Sequence, residues 1–154
     1  MKNQQKKLLL AQVDKKIAPF VPLKTLTPPN SGWVNAVRTA LGMSLKQLGV
    51  KLNISPQGAK DIERREKDGS ITINALKETA AALDMQLIYG FVPKEESLQN
   101  TIERRAHQIA KSIVKRTSHT MHLEDQALSQ EQLKKALEEK TQQIINEMPK
   151  YLWD

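Results

Sequence analysis

The chain of 154 residues is long enough for one ordinary domain, or for a small domain with helical extensions. Aromatic residues make up 4% of it and hydrophobic residues 39%, which favours a small core with appended helices over a single large core. It contains no Cys, so disulfides, thiol chemistry and Cys-based zinc fingers are excluded, and it has no apolar stretch of membrane-spanning length. We therefore expect a soluble cytoplasmic protein without a membrane segment.

Positive charge is concentrated near the N-terminus, where residues 1–30 carry six Lys and one Asp. Residues 31–92 carry eight basic and six acidic side chains, and residues 93–154 carry ten of each. A basic N-terminal segment suits an arm that contacts nucleic-acid phosphate, and equally a lysine-rich end that keeps the chain in solution. Within it we predict an amphipathic helix over residues 3–18 and a stiff, extended, proline-rich connector over residues 19–29.

A short helix is predicted over residues 32–41, with Asn30 or Ser31 as its N-cap. Arg38 lies beside the apolar face of this helix, from where its guanidinium can reach Glu63. We expect the two side chains to form an ion pair that orients a later helix.

Residues 44–65 predict two short helices joined by a tight turn. Apolar or small residues recur at helical spacing within each half, at Leu45, Leu48, Gly49, Leu52, Ile54, Ala59 and Ile62. Gly49 lacks a side chain where crossing helices approach closely, and Asn53 tolerates the left-handed backbone of a three-residue turn. Ser55 is a good N-cap, and Pro56 suits the first helical position, where its missing N–H costs nothing.

The second of these helices leaves a polar outward face. Its members are Gln57, Gly58, Lys60, Asp61, Arg64 and Arg65. Gln hydrogen-bonds base edges, and Lys and Arg hold phosphate, so this pattern predicts a helix-turn-helix whose second helix lies in a DNA groove. An ordinary helical hairpin with a solvated charged face is the alternative, although it does not require small, turn and apolar residues at these offsets.

Residues 66–69 are expected to form a polar loop, and Thr72 to cap a fourth helix that ends near Leu83. The prediction is an all-α, compact helix-turn-helix bundle of four to five short helices, in a DNA-binding domain at residues 31–84. A run rich in β-formers then predicts one strand near residues 86–92. Its members are Gln86, Leu87, Ile88, Tyr89, Gly90, Phe91 and Val92. We expect it to pair with the same strand of a second copy, and a buried extended tail is the alternative.

The C-terminal region, residues 85–154, is predicted to contain two amphipathic helices, over residues 97–116 and 129–148. A polar break at residues 117–125 separates them. We expect this region to serve dimerisation or partner binding, with the terminal aromatic residues packed in a groove or an interface.

Residues 32–84 resemble the Xre/lambda-repressor type of helix-turn-helix. Longer blocks are similar to the small group called mobile mystery protein A: GWVNAVRTALGMSLKQL, GSITINALKETAAALD, LIYGFVP and a terminal LWD. Proteins of that group are encoded beside a Fic-domain partner on mobile elements. The resemblance implies an Xre-type transcriptional repressor of its own operon, which is also the antitoxin of a Fic toxin pair.

The resemblance also implies roles for individual residues. Ser44 and Gln47 fall where relatives contact phosphate, and Arg38 and Glu63 fall where many relatives carry a structural ion pair. The base-facing side of the recognition helix corresponds to Pro56, Gln57, Gly58, Lys60 and Asp61. The predicted DNA-binding set is Arg38, Ser44, Gln47, Ser55, Pro56, Gln57, Gly58, Lys60, Asp61, Arg64 and Arg65.

The leading hypothesis is a homodimeric repressor that binds double-stranded DNA at an inverted-repeat operator, with two recognition helices about 34 Å apart. The alternative is a protein-interaction module that mainly neutralises a Fic-domain toxin, with DNA binding secondary. We predict no catalytic activity and no cofactor, because the sequence has neither a Gly-rich phosphate loop nor a recognisable Ser-His-Asp arrangement. We also predict no metal site, since His119 and His122 lack the further ligands that a metal needs.

Overall fold

The computed structural model describes residues 1–124 and 128–154, and these residues are helical with no strand among them. The predicted all-α class is therefore confirmed. In chain order the α-helices are α1 (Lys2–Ile17), α2 (Trp33–Ala40), α3 (Leu45–Leu52), α4 (Pro56–Asp68), α5 (Ile73–Ala82), α6 (Leu98–Leu123) and α7 (Gln130–Glu147). Two 3-10 helices cover Ala18–Leu23 and Lys150–Trp153.

The chain divides into two compact units. The central unit is Thr25–Tyr89, and the terminal unit combines Met1–Lys24 with Gly90–Asp154. The boundaries predicted from the sequence lie instead at residues 30/31 and 84/85. They assign the two ends of the chain to separate regions, whereas the structure joins both ends in the terminal unit. Within the described residues, none of the helices has both the length and the apolarity to cross a bilayer.

The core of the central unit is small and draws on all four of its helices and on the residue that follows α5. Its buried apolar residues are Val34, Leu48, Ala59, Ile62 and Leu83. Partly buried side chains surround them, among them Val37 of α2 and Leu76 of α5. Each helix is too short to be stable alone, so the shared core is what holds the four together.

The turn between α3 and α4 follows the predicted geometry closely. Ser44 Oγ accepts a hydrogen bond from Gln47 N at 3.1 Å, and Gln47 Oε1 accepts one from Ser44 N at 2.8 Å, which is a complete capping box. Asn53 ends α3 in the left-handed region, with φ 56°. Ser55 Oγ then accepts a hydrogen bond from Gly58 N at 3.0 Å and caps α4. These local contacts fix where each helix begins and ends.

Gly49 is required because the turn passes directly over it. A Cβ built on Gly49 would lie 2.7 Å from the carbonyl oxygen of Ile54. That distance is well inside van der Waals contact, and the atom it meets is backbone rather than a flexible side-chain end. A residue with a side chain at this position therefore has to displace the turn.

Two boundaries in the central unit differ from the prediction. Residues 66–68 continue α4 instead of forming a loop, and Gly69 ends the helix in the left-handed region with φ 78°. At the start of α2 the N-cap is Gly32, not Asn30 or Ser31. The predicted helix boundary at Arg65 is too early because residues 66–68 contain no helix breaker, whereas Gly69 is the residue that favours a positive φ.

The predicted strand near residues 86–92 is wrong for the single chain, because these residues form no regular secondary structure. A strand requires a partner to complete its hydrogen-bond ladder, and residues 1–124 and 128–154 supply none here. The buried-tail alternative also fails, since Ile88 is 70% exposed, Tyr89 61% and Phe91 87%. Residues 86–92 therefore form an irregular, mainly apolar segment in which Leu87 and Val92 are partly buried and the other residues are exposed.

The terminal unit is built on the packing of α6 against α7. Its buried core residues are Ile102, Ala106, Ala110, Ile144 and Leu152. Leu152 belongs to the C-terminal 3-10 helix. Its backbone carbonyl oxygen accepts a hydrogen bond from Arg105 Nε at 2.7 Å. Of the terminal aromatic residues, Tyr151 and Trp153 remain exposed.

The predicted polar break at residues 117–125 is wrong as far as Leu123, where α6 ends, and Asp125 lies outside the described residues. Polar side chains inside this part of α6 are satisfied by the helix itself. Thr117 Oγ1 donates a hydrogen bond to Ile113 O at 3.0 Å, and Thr120 Oγ1 donates one to Arg116 O at 3.1 Å. Polarity alone therefore does not interrupt a helix that lacks Gly and Pro.

The N-terminal helix is tied to the C-terminal helices by polar contacts. Asp14 caps α6, since its carboxylate accepts hydrogen bonds from Leu98 N at 2.7 Å and Gln99 N at 3.1 Å. Lys6 Nζ donates to Met148 O at 3.1 Å, where the carbonyl end of α7 attracts a cation. After α1 the proline-rich connector is not extended over its first part, because Ala18–Leu23 form a 3-10 helix.

The close approach at Gly49 predicts an unusual response to alanine. A Gly to Ala change inside a helix ordinarily stabilises a protein by about 0.5–1 kcal/mol, but here we expect Gly49→Ala to lower the free energy of unfolding by about 1–3 kcal/mol. Urea unfolding in a Trp153→Phe background, where Trp33 alone reports on the central unit, measures this change. The control is Val50→Ala, one residue further on at an exposed site, for which we expect a change below about 0.5 kcal/mol. An unchanged or raised stability for Gly49→Ala would contradict the prediction.

Candidate nucleic-acid interface

The helix α4 has a buried side and an outward face. Ala59, Ile62 and Glu63 are buried against the rest of the central unit. The six residues of the predicted outward face all avoid the core: Gln57, Lys60 and Arg64 are exposed, and Gly58, Asp61 and Arg65 are partly exposed. The division follows helical periodicity, which places residues three and four apart on the same side.

Arg38 and Glu63 form an ion pair that joins α2 to the buried side of α4. The Nε of Arg38 donates to Glu63 Oε1, and its Nη2 lies 3.4 Å from Glu63 Oε2. Asn35 Nδ2 donates to the same carboxylate at 2.8 Å, and Arg38 Nη1 donates to Met43 O at 2.7 Å. Because the side chains of Arg38 and Glu63 are only 14% and 10% exposed, the pair acts mainly to position α4.

A second carboxylate on α4 caps α2. Glu66 accepts hydrogen bonds from Trp33 N at 2.6 Å and from Val34 N at 2.9 Å, through one oxygen each. The N-cap residue Gly32 has φ 87° and makes no side-chain cap of its own. Sequence reasoning missed this role, since a carboxylate more than thirty residues away leaves no local signal at the start of α2.

Asp61 lies between the two arginines of the outward face. Its Oδ1 accepts hydrogen bonds from Arg64 Nη2 at 2.6 Å and Arg64 Nε at 3.2 Å. Its Oδ2 lies 3.1 Å from Arg65 Nε, which is an ion-pair distance without hydrogen-bond geometry, and this Nε is a buried atom. Arg64 Nη1 donates in addition to Asp68 Oδ2 at 2.9 Å. Both arginines predicted to hold phosphate are therefore paired within the helix, and the three- and four-residue spacings in the sequence are the signal that indicates such pairs.

These contacts hold Asp61 and Arg64 in their charged forms. The hydrogen bond from Arg64 lowers the pKa of Asp61 below its ordinary value, against a partial desolvation that acts in the opposite direction. The positive charges of Arg64 and Arg65 lower it further. The same hydrogen bond raises the pKa of Arg64. Asp61 and Arg64 are therefore both charged at neutral pH.

The start of α3 offers donors that the capping box does not use. Ser44 Oγ acts as an acceptor and Gln47 Oε1 as an acceptor, which leaves the Ser44 hydroxyl hydrogen and the Gln47 amide nitrogen free to donate outward. Both residues are exposed. An exposed helix N-terminus with adjacent polar donors suits an anionic oxygen such as that of phosphate.

Four lysines supply accessible positive charge on the exposed sides of α3 and α4. They are Lys46, Lys51, Lys60 and Lys67, all exposed, and none pairs with an acidic group in the part of the chain that the structure describes. Lysine is a flexible point charge well suited to phosphate contact. This surface therefore carries free lysines and restrained arginines.

Comparisons with protein-family models, with curated proteins and with solved structures found no match. The assignment of the helix-turn-helix consequently depends on the residues, the caps and the packing described above.

The Arg38–Glu63 pair predicts a large loss of stability when one partner is removed. We expect Arg38→Ala to lower the free energy of unfolding by about 3 kcal/mol, because it leaves a buried carboxylate without its cation. Urea unfolding followed by Trp33 fluorescence in the Trp153→Phe background measures the loss. The double variant Arg38→Met/Glu63→Leu is the control, and it should recover most of the stability by replacing the pair with apolar contacts. A loss below about 1 kcal/mol, as for a surface pair, would show that the interaction is not structural.

Proposed function

We propose that this chain is a homodimeric, sequence-specific DNA-binding repressor of the helix-turn-helix type. One observation carries the proposal: α4 is fixed to α2 by two carboxylates on its buried side, while its outward face is polar and free of core contacts. A solvated surface helix needs no such fixing. A helix that reads bases does, because its side chains must meet base edges with accurate placement.

Within this proposal the polar residues have separate tasks. Gln57, exposed in the first turn of α4, hydrogen-bonds a base edge, with adenine as the preferred partner of a bidentate Gln. Lys60 contacts phosphate, as do the free donors of Ser44 and Gln47 at the start of α3. Arg38 contributes by holding α4 in place. Phosphate contacts fix the register of the protein on DNA, and base contacts select the sequence.

The proposed dimer uses the exposed segment at residues 85–92. Met85, Ile88, Tyr89 and Phe91 are large apolar side chains that are more than half exposed, and the segment contains no charged residue that would repel a second copy. Several exposed large apolar side chains within one short segment are characteristic of an interaction surface. Two copies related by a two-fold axis would match an operator with an inverted repeat.

The proposed partner toxin, a Fic-domain protein, rests on the resemblance to mobile mystery protein A. The exposed aromatic residues Tyr151 and Trp153 of the terminal unit are candidates for such a contact. Co-expression with any Fic-domain protein whose gene adjoins that of this chain tests the partnership directly. Stable co-purification supports the antitoxin role, and separate elution of the two proteins would remove it while leaving DNA binding untouched.

Binding-site selection from a random duplex library, followed by anisotropy titrations, tests the repressor proposal. We expect the selected duplexes to share an inverted repeat and to bind more tightly than random duplexes of equal length.

Gln57→Ala should weaken binding to the selected duplex by roughly 5- to 150-fold (about 1–3 kcal/mol) and leave random DNA nearly unaffected. Lys60→Ala should weaken both by similar factors and lower the dependence on salt. If selection enriches no sequence, the proposal fails. Equal losses on both duplexes for Gln57→Ala would refute its role as a base contact.

The proposed dimer surface predicts a selective effect of one charge. Ile88→Asp should convert a dimer into a monomer in sedimentation velocity runs, with an unchanged circular dichroism spectrum, because a buried carboxylate at the contact has no partner. Leu26→Asp, at another exposed apolar site of the central unit, is the matched control and should stay dimeric. A monomeric wild-type protein, or a dimeric Ile88→Asp variant, would exclude this interface.

A further inference from the structure

The outward face of α4 carries its own counter-charges. Asp61 occupies a position between Arg64 and Arg65, and its two carboxylate oxygens are divided between them. Asp68 binds the remaining terminal nitrogen of Arg64. All three nitrogens of the Arg64 guanidinium are therefore directed at carboxylates of the same helix.

This arrangement opposes contact with phosphate in two ways. To bind phosphate bidentately, the Arg64 guanidinium must first release the carboxylates that it holds, whereas Arg65 is held near Asp61 through Nε alone. The two aspartates also cancel the charge of the two arginines, so the centre of the outward face attracts a phosphate backbone weakly. The free lysines described above are left as the main source of long-range attraction on α3 and α4.

The arrangement also differs from an ordinary surface network in its position. Asp61 is in the second turn of α4, one turn after Gln57 and next to Lys60 in sequence, on the part of the helix proposed to enter the groove. A carboxylate at such a position is repelled by the flanking phosphates wherever no base donor faces it. It therefore penalises DNA in general, which a stabilising surface pair elsewhere on the protein would not do.

We propose that Asp61 is a specificity-determining residue that restrains Arg64 and Arg65 along α4 and so keeps the affinity for arbitrary DNA low. This inference rests on the DNA-binding function proposed above. On a matching operator the restrained arginines are not required, because Gln57, Lys60 and the start of α3 supply the contacts. On other DNA the restraint removes two cations from non-specific binding.

The test compares Asp61→Asn with Asp68→Asn. Both variants change the net charge by the same amount on the same helix, but only Asp61→Asn releases Arg65 and two of the three contacts of Arg64. Anisotropy titrations use the selected duplex and a random duplex at several salt concentrations. For random DNA we expect Asp61→Asn to raise affinity by about tenfold. The slope of log affinity against log salt concentration should steepen by up to about 1.8, the value for two added phosphate contacts. Asp68→Asn should show a much smaller change.

A triple variant identifies the cause. Asp61→Asn combined with Arg64→Ala and Arg65→Ala should bind random DNA no better than the wild type, because the released cations are gone. Circular dichroism and thermal unfolding check that the helices are intact, which we expect because exposed pairs contribute little to stability. Equal effects of Asp61→Asn and Asp68→Asn, with a wild type that still selects its duplex, would overturn the inference alone. A wild type that selects no sequence would instead overturn the proposed function.

Discussion

The structure of the central unit depends on two carboxylates on the buried side of α4. Glu63 neutralises Arg38, and Glu66, three residues later on the same side of the helix, caps the first amides of α2. Each contact joins two helices across a core of few apolar residues, so polar contacts fix an orientation that packing alone leaves loosely determined. A helix that presents side chains to DNA gains from this arrangement, because small errors in its placement are amplified at the ends of long side chains.

The charges of α4 are divided between its two sides according to task. The helix contains four acidic residues, and each has a defined partner: two hold α2, and two hold arginines on the outward face. The acidic pair on the buried side gives the helix its position. The acidic pair on the outward face lowers the charge that the helix shows to solvent. Its four basic residues then fall into two classes, paired arginines and free lysines, which a count of charges does not distinguish.

Features encoded locally could be predicted from the sequence, and features that depend on distant partners could not. Ser55 and Thr72 each cap the helix predicted for them, because a cap is a contact over three residues. The cap that Glu66 provides spans the fold and was missed. Residues 86–92 have the composition of a strand, but composition expresses a preference for extended backbone and cannot supply the partner that completes a ladder. The polar composition of residues 117–123 predicts a break, although this stretch contains no Gly or Pro that would end α6 before Leu123.

The net charge of +7 overstates the positive charge that is available to DNA. Several of the contributing cations are committed to structural contacts: Lys6 and Lys7 donate to the end of α7, and Arg105 holds the C-terminal 3-10 helix. On α4 both arginines are paired as well. A basic composition is therefore weak support for DNA binding, since it does not say which cations are free. The stronger argument is positional. Free lysines, an uncommitted Gln57 and an exposed helix N-terminus occur on α3 and α4, whose ends are set by caps and the turn, and α4 is also held by the ion pair.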